Sequence, residues 1–301
     1  MRNPGGTSDA GERKEGKSVL EVDMIYNINC LDGLRSLPDD VIDLTVTSPP
    51  YDNLRTYNNT SVWNKEVFDL MAPELFRVTK KGGVVVWIVG DATIKGSETG
   101  SSFRQALGFM DAGFRLHDTM IFQKNNFHYP EINRYWSTFE YMFIFSKGKP
   151  KTANLITDRR NREAGKLIHG TERKPDGSIH PKTAVRNSIE RYVKEFGVRT
   201  NVWYYSVARG CKTKETFVLE HPAIFPDKLA EDHILTWTAP GDLVLDPFLG
   251  SGTTAKMAIL NNRHYLGYEI NSDYFNIAQK RIDLAWKEAQ ESEREKPCVT
   301  C

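Results

Sequence analysis

The sequence predicts an α/β protein: a Rossmann-like, mostly parallel sheet with helices on both faces, plus a small basic insertion. Three observations carry this reading. Short β-branched and apolar runs such as Val41–Val46 and Val84–Val89 are each followed by a polar turn, as in strands buried on both faces. These runs alternate with segments of helical apolar spacing, the pattern of parallel strands joined by helical crossovers. Between Lys147 and Glu215, seventeen Lys and Arg face seven Asp and Glu, so this stretch carries +10 and leaves −9 on the rest of a chain of net charge +1.

Taken in order, residues 1–18 are Gly-rich, charged and aperiodic, and are expected to be a disordered tail. Met24–Ile28 reads as a strand and Cys30–Leu37 as a short helix, followed by the strand at Val41–Val46. After a polar loop at Tyr57–Thr60, apolar residues at Val67, Phe68, Met71, Leu75 and Val78 predict a helix over 65–78, which Lys80-Lys81-Gly82-Gly83 should stop before a strand at 84–89. A helix at Ser101–Met110 ended by Gly113, and strands at Leu116–Phe122 and Phe139–Phe145, complete the first part. Lys149–Arg199 has few apolar runs and reads as an insertion outside the sheet. Then come a helix from Pro226 to Trp237, a strand at Asp242–Asp246, a glycine turn, a helix at Thr253–Leu260, a strand at His264–Glu269 and a long amphipathic helix from Asp273 to Glu288.

At 301 residues with 40% apolar and 26% charged residues, the composition is that of a soluble globular protein. No stretch is long and apolar enough to cross a bilayer and the N-terminus has no apolar signal core, so a cytoplasmic protein is expected. Four scattered cysteines make no disulfide framework, and the C-x-x-C of Cys298 and Cys301 is read as tail rather than a metal site. A basic block on an acidic body points to a phosphate-bearing partner, DNA or RNA.

Two turns concentrate the chemistry. Thr47-Ser48-Pro49-Pro50-Tyr51 sits at the C-terminal end of a buried strand, the sheet edge where open α/β folds bind ligands. Two prolines cannot extend a ladder, so the chain breaks into a stiff turn exposing the Ser48 hydroxyl, the Pro49 carbonyl and the Tyr51 ring. Two acceptors and a stacking face suit a planar amino group, although the same five residues also describe a plain turn. The second is Asp246-Pro247-Phe248-Leu249-Gly250-Ser251-Gly252-Thr253, with Glu269 at the end of the next strand. Strand, Gly-x-Gly turn, helix, strand and carboxylate form a nucleoside-binding unit, the carboxylate placed for ribose hydroxyls. The third glycine of the dinucleotide fingerprint and the Gly-Lys-Ser/Thr of a P-loop are both absent, which favours an adenosine ligand without a pyrophosphate. About fifty residues follow this turn, so most of the sheet must come from upstream, and both turns then share one edge.

In these two motifs, in this order, the chain resembles DNA amino-methyltransferases that use S-adenosyl-L-methionine, in the permuted arrangement with the catalytic motif first. The resemblance runs from about Ile25 to Ile282. It implies a catalytic set of Ser48, Pro49, Pro50 and Tyr51. It implies cofactor contacts from Asp246, Pro247, Phe248, Gly250, Ser251, Gly252, Thr253 and Glu269. His221–Leu229 is similar to the segment that packs on the methionine part of the cofactor, which brings in Phe225 and Pro226. Asn29 and Cys30 become adenine-side candidates where relatives often carry Gly-Asp before the cysteine, and Asp91, ending the strand at 84–89, is a further candidate. Arg55, Tyr57, Arg159, Arg160 and Arg162 are the expected DNA contacts, and no metal is expected. The implied domain plan is a catalytic part over 19–148, target recognition over 149–200, a cofactor-binding part over 201–290 and a tail over 291–301. Double-stranded DNA is the implied partner, together with a cognate restriction endonuclease, for a monomer or homodimer in a bacterial or phage setting. Serine before Pro-Pro-Tyr resembles the cytosine-N4 branch, with adenine N6 as the alternative. A nicotinamide dehydrogenase would leave the Ser-Pro-Pro-Tyr turn unexplained, and a non-catalytic DNA-binding module is the remaining reading.

Overall fold

The computed structural model describes residues 21–50, 63–128, 133–182, 185–186, 189–208, 210–221 and 224–295. Eight strands form one sheet: β1 (Met24–Tyr26), β2 (Ile42–Thr47), β3 (Thr79–Val89), β4 (Arg115–His128), β5 (Ser137–Ser146), β6 (Val202–Tyr205), β7 (Leu243–Asp246) and β8 (His264–Tyr268). Their spatial order is β1-β8-β7-β2-β3-β5-β4-β6. β5 alone runs against its neighbours β3 and β4, and every other adjacent pair is parallel. The last two of these strands therefore lie between the first two.

Alternation along the central strands feeds a core on each face. On β3, Val84, Val86 and Ile88 pack with helices α4 (Asp227–Trp237), α5 (Thr253–Leu260) and α6 (Ser272–Arg294), through Leu229, Ala258 and Ile282 among others. Val85, Trp87 and Val89 face the opposite way, toward α1 (Cys30–Ser36), α2 (Lys65–Val78) and α3 (Ser101–Asp111), through Leu34, Leu75 and Phe109. Burial on both faces explains why these strands read as unbroken apolar runs.

Four features differ from the sequence reading. Lys80–Gly83 does not simply end α2; it begins β3, and the register of β2 against β3 jumps from Ile42↔Thr79 to Leu44↔Val84. Gly82 makes this irregularity possible at φ +85°, while its N–H bonds the Lys147 carbonyl at 2.7 Å. β6 was not expected, yet Trp203 and Tyr205 alternate inward with exposed Val202 and Tyr204 and extend the sheet beside β4. β4 and β5 run further than their apolar centres, to His128 and from Ser137. α6 continues to Arg294, into the expected tail.

Among its described residues the basic segment makes two-stranded ladders of its own, pairing Arg159–Arg160 with Phe196–Gly197, Thr171–Arg173 with Ile179–Pro181, and Val185–Arg186 with Ile189–Glu190, and a single bridge between Leu167 and Tyr192. None joins the main sheet. Arg199 fastens its exit: its guanidinium pairs with Asp158 at the entry and reaches the buried Asp232 of α4 at 2.8 Å. Among the described residues no helix is long and apolar enough to cross a membrane.

Candidate active site

β2 and β7 are neighbours in parallel register, Val244 beside Leu44 and Leu245 beside Thr45, so the two turns predicted to carry the chemistry leave the sheet side by side. A cavity of about 280 Å³ opens there. One wall is the glycine turn, with Pro247, Phe248, Leu249, Gly250 and Ser251, and Thr253 of α5. A second is the start of α1 with Asn29 and Cys30, a third the end of β8 with Tyr268 and Glu269, and Ser48 and Pro50 reach it from β2.

The turn is held by the residues that would read a nucleoside. Gly250 sits at φ +53°, and a Cβ there would lie 3.0 Å from Nε2 of His221, so only glycine keeps this wall open. Its N–H donates to Glu269 Oε2 at 2.8 Å, and the Asn271 N–H donates to Oε1 at 2.8 Å. Burial raises the proton affinity of Glu269 above the usual carboxylate range. A partly desolvated carboxylate with one backbone donor on each oxygen keeps lone pairs for further neutral donors, which vicinal ribose hydroxyls supply. Apolar surface from Ile28, Phe248 and Ile270, on the same cavity, suits a planar base. The residues present thus fit an adenosine-bearing cofactor.

Several expected contacts are elsewhere. Asp91 does not line the cavity; its carboxylate accepts the Ser102 N–H at 2.9 Å and the Ser101 hydroxyl at 3.1 Å, capping α3, whose N-cap Gly100 has no side chain to do so. Asp246 lies behind the glycine turn, its Oδ1 accepting the Thr47 hydroxyl at 2.6 Å and the Phe248 N–H at 3.1 Å, and its Oδ2 accepting from Thr254 at 2.8 Å. Gly252 packs against Ala278 of α6, where a Cβ would come within 3.2 Å, and Pro226 is the N-cap of α4. Pro49 is also absent from the lining. Asn29 borders the cavity, but its Oδ1 caps α1 by accepting the Leu31 N–H at 2.8 Å. Tyr51, Arg55 and Tyr57, and Cys298 and Cys301, lie outside the described residues.

Phe225 lines the cavity as expected, and Trp63, His221 and Tyr274 are among the lining residues that were not singled out. Trp63 stands edge-on to Phe248 at 5.1 Å between ring centroids; its position just before α2 offers no periodic signal. His221 and Tyr274, both on the lining, pack edge to face at 4.3 Å between ring centroids, bringing the segment before α4 against α6. The Cys30 thiol is pushed up to about 11 by burial and stays protonated at neutral pH. Arg159, Arg160 and Arg162 sit on the exposed basic segment, away from this cavity, with Arg159 Nε donating to the Val198 carbonyl.

A nucleoside-type cavity built from a glycine turn, with a Ser-Pro-Pro turn on its rim, at the edge of a permuted α/β sheet defines a group-transfer enzyme of the methyltransferase kind. The DNA methylase family model for N6 and N4 amino-methyltransferases matches residues 42–280. The orphan methyltransferase M.BamHII of Bacillus amyloliquefaciens is 57% identical over 249 residues, which cover 82% of this chain and 91% of that protein. The DNA adenine methyltransferase YhdJ of Escherichia coli is 25% identical over 285 residues, covering 90% of this chain and 84% of the relative. Among solved structures, the PvuII DNA methyltransferase (cytosine-N4-specific) aligns with a TM-score of 0.62 at 22% identity, covering 89% of this chain and 92% of that one. The chain belongs to the family of DNA methylases that modify exocyclic amino groups, and its cofactor is S-adenosyl-L-methionine.

Proposed function

We propose that this enzyme methylates the exocyclic N4 of cytosine in a base flipped out of duplex DNA. The observation that carries this reading is Ser48 on the cavity rim, one residue past the strand that lies beside the cofactor turn. An exocyclic amine is a poor nucleophile because its lone pair is delocalised into the ring. Ser48 Oγ and the Pro49 carbonyl each accept one N–H and hold the amine so that its lone pair faces the cavity, a matter of orientation and electrostatic complementarity. The cofactor supplies an electrophilic methyl group on a sulfonium. The base itself must leave the stack to reach the turn, with the Tyr51 ring as its platform. No covalent enzyme intermediate is required, in keeping with a Cys30 thiol held protonated.

Serine offers a hydroxyl where the adenine branch of the family more often has the carboxylate of Asp or the amide of Asn, and this favours cytosine. That the PvuII enzyme is cytosine-N4-specific supports the same reading, while the adenine-specific YhdJ keeps N6 as the alternative. On this reading Phe225, Pro247, Phe248, Gly250, Ser251, Thr253 and Glu269 seat the cofactor, with Asn29 and Cys30 on its adenine side. Residues 149–200 are the target-recognition part, with Arg159, Arg160 and Arg162 on phosphates, and Arg55 and Tyr57 contact the DNA backbone flanking the flipped base. Type II relatives such as M.BglII of Bacillus subtilis imply a partner nuclease, whereas M.BamHII is described as an orphan. Mass spectrometry of nucleosides from DNA treated with the protein and S-adenosyl-L-methionine tests the target atom. N4-methylcytosine is expected; N6-methyladenine without it overturns the assignment.

A further inference from the structure

Beyond Leu245↔Thr45 no ladder pairing joins β2 to β7, and the catalytic and cofactor turns separate from there. Past it, the Val46 carbonyl accepts from the Thr254 hydroxyl of α5 at 3.1 Å, and the two turns themselves are tied by a side-chain contact: Thr47, the residue before Ser48, donates its hydroxyl to Asp246 Oδ1 at 2.6 Å. The same oxygen accepts the N–H of Phe248, which lines the cavity, and the other oxygen accepts from Thr254 in the first turn of α5. Thr47, Asp246 and Thr254 are 0%, 2% and 1% exposed. A hydroxyl at 47 is not what burial alone selects, because valine has the same shape and carries no polar group into a buried strand end.

We propose that the Thr47–Asp246 contact is the joint that sets the distance from the cofactor's seat to Ser48, making Thr47 a positioning residue for methyl transfer. This rests on the functional reading above. The argument is geometric. Transfer needs the reacting atoms about 3–3.5 Å apart and aligned, and a displacement of about 1 Å costs on the order of a hundredfold in rate. One carboxylate gathers the end of β2, the cofactor turn and the helix behind it, so loss of the Thr47 hydroxyl leaves the catalytic turn held by its pairing with β3 and by the Thr254–Val46 bond but no longer tied to the cofactor turn itself, while the Phe248 and Thr254 bonds keep the cofactor wall in place.

The test compares wild type with T47V, which removes the hydroxyl at constant shape, and T47S, which restores it. Cofactor affinity is measured by calorimetry, single-turnover methyl transfer with tritiated cofactor on DNA of mixed sequence, and folding by circular dichroism and thermal melting. T47V should bind cofactor within about twofold of wild type and transfer methyl at least tenfold more slowly, and T47S should recover most of the rate. A T47V rate within twofold of an active wild type overturns the proposal, as does T47S being no faster than T47V, or a parallel loss of cofactor affinity and rate. If T47V does not fold, T47S and T47A, which lack the same methyl and differ only in the hydroxyl, carry the comparison with the same criteria. A wild-type protein that binds cofactor but methylates no DNA overturns the functional reading and this proposal with it.

Discussion

Asp246→Asn should stabilise the protein at neutral and alkaline pH. The Asp246 carboxyl is buried against neutral donors only, the Thr47 and Thr254 hydroxyls and the Phe248 N–H, and desolvation pushes it up to about 6 from 3.8. At about 1.36 kcal/mol per tenfold change in proton affinity, keeping it ionised in the folded chain costs about 3 kcal/mol at pH 8. Because the folded form binds this proton more tightly than the unfolded one, wild type carries no penalty well below pH 3.8. The cost grows as pH rises through 4 to 6 and is complete above. Asparagine fits the same partners. The Thr254 hydroxyl has one hydrogen for two acceptors, Asp246 Oδ2 at 2.8 Å and the Val46 carbonyl at 3.1 Å. An amide at 246 donates to the Thr254 oxygen and leaves that hydrogen to Val46, while its own oxygen still accepts from Thr47 and Phe248. Urea unfolding of both proteins at pH 8, 6.5, 5 and 4 provides the assay. The variant should be more stable by about 3 kcal/mol at pH 8, by about half as much at pH 5 and by little at pH 4. A variant less stable than wild type at pH 8, or a difference that does not change with pH, refutes the reasoning.

Three further outcomes are expected. Gly250→Ala must place a Cβ 3.0 Å from the His221 ring at a backbone φ of +53°, so cofactor affinity should fall at least tenfold by calorimetry; unchanged affinity would remove the turn from the binding site. Ser48→Ala should leave cofactor binding intact and lower single-turnover methyl transfer by about a hundredfold, the order of magnitude for losing one preorganised polar group. Replacing Arg159, Arg160 and Arg162 by Gln should weaken DNA binding and flatten its dependence on salt, since each lost phosphate contact retains counterions that binding would have released. Cofactor affinity should not move, and a salt slope equal to wild type would place the DNA elsewhere.

Local sequence determined the elements. α2 spans Lys65–Val78 and α5 spans Thr253–Leu260, the ranges their spacing predicts, because helical periodicity, the Asn64 cap and the glycines at 250 and 252 act within a few residues. The two motifs and their order likewise pointed to one shared sheet edge, and the strands that precede them, β2 and β7, are neighbours there. Which side chains meet at that edge was a matter for the tertiary structure. Asp91 and Asp246 each end an apolar strand and look alike in sequence, yet one caps α3 and the other bonds Thr47, a residue 199 positions away. Trp63 and β6 escaped because neither has a periodic neighbourhood; each takes its place from what it packs against. Strand direction was equally invisible: β4 and β5 pair antiparallel, and nothing in the residues of either strand says which way it runs, because direction is set by where the connecting chain returns to the sheet.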